Sequence, residues 1–233
     1  MFQKNYSIYL RIVTIMEKKS NIILSFDLDF TLINNRDGIV DSFNYALKEF
    51  KLKELKPSKI EKMIGIPLND MFSSVSDLNP SKMSMAFRKY YSIKGIYKVN
   101  LLTGVKDKLI TLKKHSFILG IITSKRQDLA TKIVEFLKID KYFDYILGES
   151  DEIKSKDDPK IKEFFERMYP ENKIIVIGDH PKDAILSKNL NCPFIGVLTG
   201  LSTLEDLKSM NLSNYIIINS VGDLTIDDIY SLI

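Results

Sequence analysis

The sequence has almost no cysteine, since Cys192 is the only one among 233 residues. A single thiol cannot form a disulfide within the chain, so a disulfide-stabilised fold is excluded. Cys192 lies in Asn191-Cys192-Pro193, just before an apolar run. We interpret it as a buried structural thiol in the reducing cytoplasm, and we expect a cytoplasmic protein.

Long apolar runs are missing as well. No stretch approaches the roughly 18 uninterrupted apolar residues that a membrane-spanning helix needs, so we expect no membrane segment. The segment Tyr6–Met16 is apolar, but Arg11 interrupts it and no small-residue cleavage site follows, which argues against a secretion signal. We therefore interpret residues 1–20 as an N-terminal extension.

A dominant charge of one sign is also absent, because 34 lysines and arginines face 30 aspartates and glutamates, for a net charge of +4. Even the lysine-rich stretch 51–62 contains Glu54 and Glu61, as a solvated helical face would. We expect an ordinary soluble surface, mildly favourable for anionic ligands, and no nucleic-acid partner. The sequence has no internal repeat and no feature that indicates an oligomeric state.

The pattern from residue 21 onward alternates short β-rich runs with longer helical ones, which predicts a parallel sheet covered by helices. The predicted strands are residues 22–26, 117–122, 145–147, 173–177, 194–197 and 215–218. The predicted helices lie near 104–114, 127–138, 159–168, 181–190, 203–209 and 223–231. This is an α/β fold of the doubly wound type, which binds ligands at the carboxyl ends of its strands.

One interval, residues 37–100, carries helical patterns but no convincing strand. Apolar residues from Ile39 to Phe50 recur with the period of a helix, and Asn79-Pro80 starts another helix. We call residues 37–100 the helical insertion and predict that they form a small cap domain. The predicted α/β core then consists of residues 21–36 and 101–233.

Two carboxylates two residues apart follow the first predicted strand, in Phe26-Asp27-Leu28-Asp29-Phe30-Thr31. Buried carboxylates without partners are costly, so both should face the ligand crevice at this edge of the sheet. A carboxylate pair there suits phosphoryl chemistry: one attacks, its partner two residues on handles the proton, and both help to hold a hard cation. Taken alone, the motif also fits an exposed acidic turn.

Three further motifs fall at the same predicted edge. The hydroxyl of Thr123 can donate to a phosphoryl oxygen, and Lys156 can neutralise charge on a nucleophile and a phosphate together. Each is also an ordinary surface or capping residue when considered alone. In Gly178-Asp179-His180-Pro181-Lys182-Asp183, Gly178 permits close backbone approach, and the two carboxylates Asp179 and Asp183 could complete a magnesium site.

In this order, D-x-D-x-T, Thr, Lys and G-D-x-x-x-D resemble the four signature motifs of the haloacid dehalogenase superfamily, over residues 21–233. The resemblance implies six functional residues, namely the nucleophile Asp27, the general acid and base Asp29, the phosphate-binding Thr123 and Lys156, and the metal ligands Asp179 and Asp183. It also implies that Asp27 and the backbone carbonyl of Asp29 contribute to an Mg²⁺ site.

Within the superfamily, the chain resembles the phosphoglycolate phosphatase-like branch, and the insertion between the first two motifs resembles a helical type-1 cap. The segments that carry this resemblance are residues 38–47, 64–68, 103–105 and 196–200. Two residues depart from the branch: Phe30 replaces the usual glycine after D-x-D, and Asp157 stands where proline is frequent. Phe30 could restrict the phosphate loop or alter contacts with the leaving group.

The implied activity is magnesium-dependent hydrolysis of a small phosphorylated metabolite through an aspartyl-phosphate. Asp29 argues against dehalogenase activity, because dehalogenases of this superfamily lack a carboxylate two residues after the nucleophile. A phosphomutase of the β-phosphoglucomutase kind and a non-catalytic module that binds phosphate or metal remain as alternatives. Candidate substrate contacts from the cap and its border are Arg36, Gly65, Arg88 and Lys89.

Overall fold

The computed structural model describes residues 20–233. The predicted N-terminal extension, residues 1–20, lies outside the described residues apart from Ser20, whose backbone N–H donates to the carbonyl of Ser116 at 2.9 Å. Among the residues described, no helix is both long enough and apolar enough to cross a membrane.

A six-stranded parallel sheet forms the centre of the molecule, which confirms the predicted doubly wound α/β fold. Its strands, in the spatial order β5-β4-β1-β6-β7-β8, are β1 (Ile22–Phe26), β4 (Ile118–Arg126), β5 (Tyr145–Glu149), β6 (Lys173–Gly178), β7 (Phe194–Val197) and β8 (Tyr215–Ile218). Every residue of β1 is buried, as expected for a central strand covered on both faces. β4 runs beyond its predicted end at residue 122 and pairs with β5 as far as Arg126.

The register of the sheet brings the motifs to one edge. Phe26, near the carboxyl end of β1, pairs with Ile121 of β4 on one side and with Ile177 of β6 on the other. The residues that follow these three positions therefore emerge together. This placement is what a ligand site at the carboxyl ends of parallel strands requires.

Helices cover both faces of the sheet at the predicted positions. They are Val105–Lys114, Gln127–Phe136, Pro159–Met168, Pro181–Asn189, Leu204–Lys208 and Ile226–Tyr230. Side chains of β1 alternate between the two sides, so that Leu24 packs in one apolar cluster and Ile23 in the other. The Asp158 carboxylate caps the helix Pro159–Met168 by accepting from the backbone N–H of Lys160 at 3.0 Å.

Four helices form the helical insertion, and the first begins one residue before it: Arg36–Glu49, Pro57–Glu61, Leu68–Ser73 and Pro80–Ile93. These helices pack around an apolar cluster of their own, in which the rings of Phe43 and Phe72 stack at 4.3 Å between centroids. At its base, the two-residue strands β2 (Ile33–Asn34) and β3 (Asn100–Leu101) form an antiparallel pair. This pair was not predicted, because two-residue strands carry no periodicity. The division into core and cap domains stays a prediction.

Candidate active site

Two aspartates follow the two central strands of the sheet directly. Asp27 follows β1, and its backbone N–H donates to the carbonyl of Ile177 at 2.8 Å, which continues the ladder between β1 and β6. Asp179 follows β6, and its Oδ1 accepts from the hydroxyl of Thr31 at 2.9 Å. Both carboxylates are buried at the carboxyl edge of the sheet.

Asp183 joins these two residues in what we call the acidic cluster, Asp27, Asp179 and Asp183. Carboxylate oxygens of the three residues all lie within 4.8 Å of one another. Lys156 Nζ lies 2.5 Å from Asp27 Oδ1 and 2.5 Å from Asp183 Oδ1, and Lys156 is itself buried. The fold therefore brings together four residues that are distant in the sequence.

Two glycines make room for the acidic cluster. A Cβ atom on Gly178 would lie 2.2 Å from the carboxyl carbon of Asp183, and a Cβ atom on Gly200 would lie 1.8 Å from Asp179 Oδ2. Any side chain at either position would overlap with a carboxylate. The backbone is thus packed directly against the acidic groups.

The acidic cluster is short of positive charge, with three carboxylates beside one ammonium. Burial raises the pKa of Asp27 to about 7, and the charge of Asp183 adds to this effect while Lys156 opposes it. Burial also raises the pKa of Asp179 to about 8, with further contributions from Asp27 and Asp183. Burial alone would lower the pKa of Lys156, but Asp183 and Asp27 raise it above its usual value.

This donor set fits a divalent cation. Oxygen ligands are those that Mg²⁺ prefers, and a dication would balance the excess negative charge of the acidic cluster. Asp27, Asp179 and Asp183 could hold it through their carboxylates. The side chain of Asp29 is not part of the cluster, so its predicted contribution to the metal site rests on its backbone carbonyl.

Asp29 instead lies in a second group of polar side chains. Its Oδ2 is 2.9 Å from Lys125 Nζ, and its Oδ1 accepts from Asn35 Nδ2 at 3.0 Å. The hydroxyl oxygen of Tyr91 accepts from Asn35 Nδ2 and from Lys125 Nζ, each at 3.2 Å. Burial alone would lower the pKa of Lys125, but Asp29 and Tyr91 raise it above its usual value.

Three residues of this group were not predicted as site residues from the sequence, namely Lys125, Asn35 and Tyr91. Lys125 could have been found, because it follows Thr123 and Ser124 at a predicted strand end. Thr123 itself is buried, and its hydroxyl oxygen accepts from the backbone N–H of Lys125 at 3.2 Å. No comparable signal marks Tyr91, which lies in the helical insertion.

A cavity of about 400 Å³ opens between the sheet edge and the helical insertion. From the core it is lined by Asp27, Asp29, Phe30, Thr123, Ser124, Lys125, Lys156, Asp179, His180, Lys182 and Leu201. From the insertion it is lined by Ile39, Ile64, Gly65, Ile66, Leu68, Met71, Phe87 and Tyr91. The cavity thus joins the acidic cluster, Lys156, Thr123 and Asp29 in one space.

Of the four predicted substrate contacts, Gly65 lines this cavity, and Arg36, Arg88 and Lys89 do not. Phe87 and Tyr91 are four residues apart and both line the cavity, whereas the intervening Arg88 and Lys89 are exposed and do not line it. The Arg36 guanidinium lies 4.7 Å from the centre of the Phe30 ring and donates to the carbonyl of Thr199 at 3.3 Å.

This chain is similar to known hydrolases in both sequence and structure. Residues 23–197 match the family described as haloacid dehalogenase-like hydrolase. A predicted pyrophosphatase, PpaX, from Clostridium perfringens is 30% identical over 193 residues, which cover 82% of this chain and 90% of that protein. The solved structure of a haloacid dehalogenase-like hydrolase from Streptococcus pneumoniae is 29% identical, with a TM-score of 0.75 over 84% of this chain and 94% of that chain.

The fold is also that of a predicted phosphoglycolate phosphatase from Haemophilus somnus. That structure is 22% identical and superposes with a TM-score of 0.72 over 89% of this chain and 97% of that chain. At this level of identity the likeness concerns the fold alone.

Proposed function

Because this chain belongs to the haloacid dehalogenase-like hydrolase family, we propose that it is a magnesium-dependent phosphatase that hydrolyses a small phosphate monoester through an aspartyl-phosphate. The observation that carries the proposal is the position of Asp27. It follows the central strand β1, its Oδ1 lies 2.5 Å from Lys156 Nζ, and it lines the cavity. We expect the enzyme to act on a phosphorylated metabolite in the cytoplasm.

The first half-reaction forms the aspartyl-phosphate. Lys156 fixes one carboxylate oxygen of Asp27, and the other oxygen attacks phosphorus in line with the leaving group. The bond from phosphorus to the leaving oxygen breaks, and Asp29 gives the alkoxide that departs the proton it took from water in the preceding turnover. Lys156 balances charge on the phosphoryl oxygens as the transition state forms, and the hydroxyl of Thr123 donates a hydrogen bond to one of them.

The second half-reaction hydrolyses the acyl phosphate. Asp29, now deprotonated, takes a proton from a water molecule, whose oxygen attacks phosphorus and releases the Asp27 carboxylate and inorganic phosphate. When Mg²⁺ is bound, it supplies positive charge that the three carboxylates of the acidic cluster lack. Lys125 and Asn35 hold the Asp29 side chain in place through both half-reactions.

Two substrates are candidates: pyrophosphate, from the name of the Clostridium perfringens relative, and phosphoglycolate, from the resemblance of the sequence motifs to the phosphoglycolate phosphatase-like branch. The transferred phosphoryl group of either substrate would bind to Lys156 and Thr123. A phosphomutase of the β-phosphoglucomutase kind would use the same first half-reaction but return the phosphoryl group to a sugar. A non-catalytic module would bind phosphate or Mg²⁺ without turnover.

Release of inorganic phosphate from a panel of small phosphate esters, with and without Mg²⁺, tests the proposal. The panel should include phenyl phosphate, whose good leaving group needs little protonation, and a sugar phosphate. We expect magnesium-dependent phosphate release from phenyl phosphate. An isomerised sugar phosphate without free phosphate would point to the mutase, and Mg²⁺ binding without any turnover would point to the non-catalytic module.

A further inference from the structure

The cavity has a polar end and an apolar end. Two of the three lysines that line it, Lys125 and Lys156, lie at the polar end. Lys156 contacts Asp27 and Asp183, and Lys125 contacts Asp29. Both ammonium groups are therefore paired with carboxylates of the reaction site. They serve the transferred phosphoryl group and its chemistry, which leaves recognition of the leaving group to the rest of the lining.

The wall opposite the acidic cluster is apolar. Six apolar side chains of the helical insertion line it, namely Ile39, Ile64, Ile66, Leu68, Met71 and Phe87. Among the described residues, no charged side chain of the insertion lines the cavity. An anionic leaving group would lose water there and gain no compensating charge, which is unfavourable.

The apolar surface continues to the mouth of the cavity from both sides. Ile66 of the insertion is 48% exposed, and Leu201 of the core is 47% exposed. Both line the cavity. Large aliphatic side chains on the two rims would gain from covering an apolar group that enters between them.

Phe30 adds an aromatic ring to this surface at a conformational cost. Its φ is +61°, a left-handed backbone conformation that suits glycine and disfavours residues with a Cβ atom. Phe30 nevertheless lines the cavity, one residue after Asp29. Phe30 is a bulky residue in a conformation that suits glycine, and it lies beside the group that protonates the leaving oxygen. The conformational cost indicates that its side chain has a function at this place.

Lys182 is the remaining lysine of the lining, and it is exposed. Burial raises the pKa of the Glu149 carboxyl, and the charges of Lys182 and Arg88 oppose the rise. The Nδ1 atom of His180 accepts from the Lys182 backbone N–H at 3.1 Å as a helix cap. The leaving-group end of the cavity thus has no unpaired buried cation among the residues described.

We propose that the leaving group of the substrate is uncharged and mainly apolar, and that Phe30 and the six apolar residues of the insertion bind it. This inference rests on the proposed phosphatase function and narrows its substrate class to monophosphate esters of apolar alcohols. It sets this chain apart from relatives named for pyrophosphate or phosphoglycolate, whose leaving groups are anionic.

Selectivity is tested with wild-type protein and Mg²⁺ on methyl, butyl and hexyl phosphate, phosphoglycolate and pyrophosphate. We expect kcat/KM to rise along the alkyl series by up to about fourfold for each buried methylene, which is ~0.8 kcal/mol at ~1.4 kcal/mol per factor of ten. Hexyl phosphate should exceed both anionic substrates by about tenfold or more. Equal or higher kcat/KM for phosphoglycolate or pyrophosphate would overturn the inference.

Two variants connect the selectivity to the apolar surface. Phe30→Gly removes the ring and relieves the backbone, and it should lower the ratio of kcat/KM for hexyl over methyl phosphate about tenfold. Ile66→Thr changes a half-exposed rim residue and should lower the same ratio, whereas Ile93→Thr should not. Ile93 is 61% exposed in the same insertion and does not line the cavity. An unchanged ratio in a folded Phe30→Gly protein and in Ile66→Thr would contradict the inference.

Failure of the inference and failure of the proposed function give different results. If phenyl phosphate is hydrolysed but anionic esters are preferred, the function stands and the inference falls. If no ester is hydrolysed, the proposed function fails, and the inference fails with it. Binding of hexylphosphonate and phosphonoacetate, measured by calorimetry, gives a readout independent of turnover, and tighter binding of phosphonoacetate would also overturn the inference.

Discussion

Lys125 Nζ lies 2.9 Å from Asp29 Oδ2, so a lysine at the end of β4 is paired with the carboxylate proposed as general acid and base. The same ammonium donates to the hydroxyl of Tyr91, in the helical insertion, at 3.2 Å. The position of the Asp29 side chain is thereby linked to the insertion as well as to the core. Asp29 is held outside the acidic cluster but at the wall of the same cavity.

We predict that Lys125→Met lowers kcat on alkyl phosphates by about tenfold to hundredfold, a part of the ~10²–10⁴ that general acid–base catalysis contributes. The loss should shrink on phenyl phosphate, because its leaving group needs less protonation. Steady-state kinetics on both kinds of ester measure this effect. Lys125→Arg, which keeps the charge, should recover part of the activity.

The matched control for Lys125 is Lys132→Met, at an exposed position of the helix Gln127–Phe136. It removes the same charge away from Asp29 and should leave kcat unchanged. An equal loss on alkyl and phenyl phosphates in Lys125→Met would indicate a general structural role and count against positioning of Asp29.

A second prediction concerns Mg²⁺ and pH. Asp27 and Asp179 have pKa values of about 7 and about 8 in the folded protein, against an ordinary value of 3.8. The folded protein therefore binds these protons more tightly than the unfolded chain. The two aspartates make their full contribution to the free energy of unfolding below about pH 4, and this contribution is lost as the pH rises towards about 8. Since Mg²⁺ replaces these protons, the increase in Tm on adding Mg²⁺ should grow between about pH 5 and about pH 8.

In Asp179→Asn, the increase in Tm on adding Mg²⁺ should depend less on pH, because the variant lacks one of the two titrating carboxylates. Asp151→Asn, at an exposed position, should behave like the wild type. Thermal unfolding with and without Mg²⁺ at each pH provides the comparison. The same increase in Tm at both ends of the pH range would show that the acidic cluster does not bind the cation.

The close approach of Gly200 to Asp179 gives a third prediction. In Gly200→Ala the new Cβ atom would overlap with Asp179 Oδ2, so the carboxylate must shift. We expect the Mg²⁺ concentration for half-maximal activity to rise at least about tenfold, which corresponds to ~1.4 kcal/mol of binding free energy. Ser209→Ala, at an exposed position, serves as the control. An unchanged requirement for Mg²⁺ would remove Asp179 from the proposed metal ligands.

Much of the fold could be predicted because its signals are local. Buried parallel strands such as β1 are continuous apolar runs, and helix starts such as Asp158-Pro159 have a distinct chemistry. In a parallel sheet, the residue after each strand falls at one edge. Asp27 and Asp179 could therefore be expected near each other from their positions in the sequence alone.

The remaining features depend on contacts between distant segments. Asn35, Tyr91 and Lys125 meet around Asp29, although they lie in three separate parts of the chain. Their residue types are common, and only the packing of the insertion on the core brings them together. For the same reason, the sequence could not show that Phe87 lines the cavity and Arg88 does not.

The two aspartates of the first motif, Asp27 and Asp29, have distinct proposed roles in the two half-reactions. Asp27→Asn lacks the attacking oxygen, so no phosphoryl group should become attached to the protein. Asp29→Asn keeps the nucleophile but lacks the base that activates water, so the aspartyl-phosphate should accumulate. Phenyl phosphate is the substrate of choice, because its leaving group departs without much help from Asp29.

The most direct measurement is an acid quench of each variant with phenyl phosphate and Mg²⁺, followed by peptide mass spectrometry. We predict a phosphorylated peptide containing Asp27 in Asp29→Asn, none in Asp27→Asn, and phosphate release at background level in Asp27→Asn. A phosphorylated Asp27→Asn protein, or one as active as the wild type, would contradict the assignment of Asp27 as nucleophile.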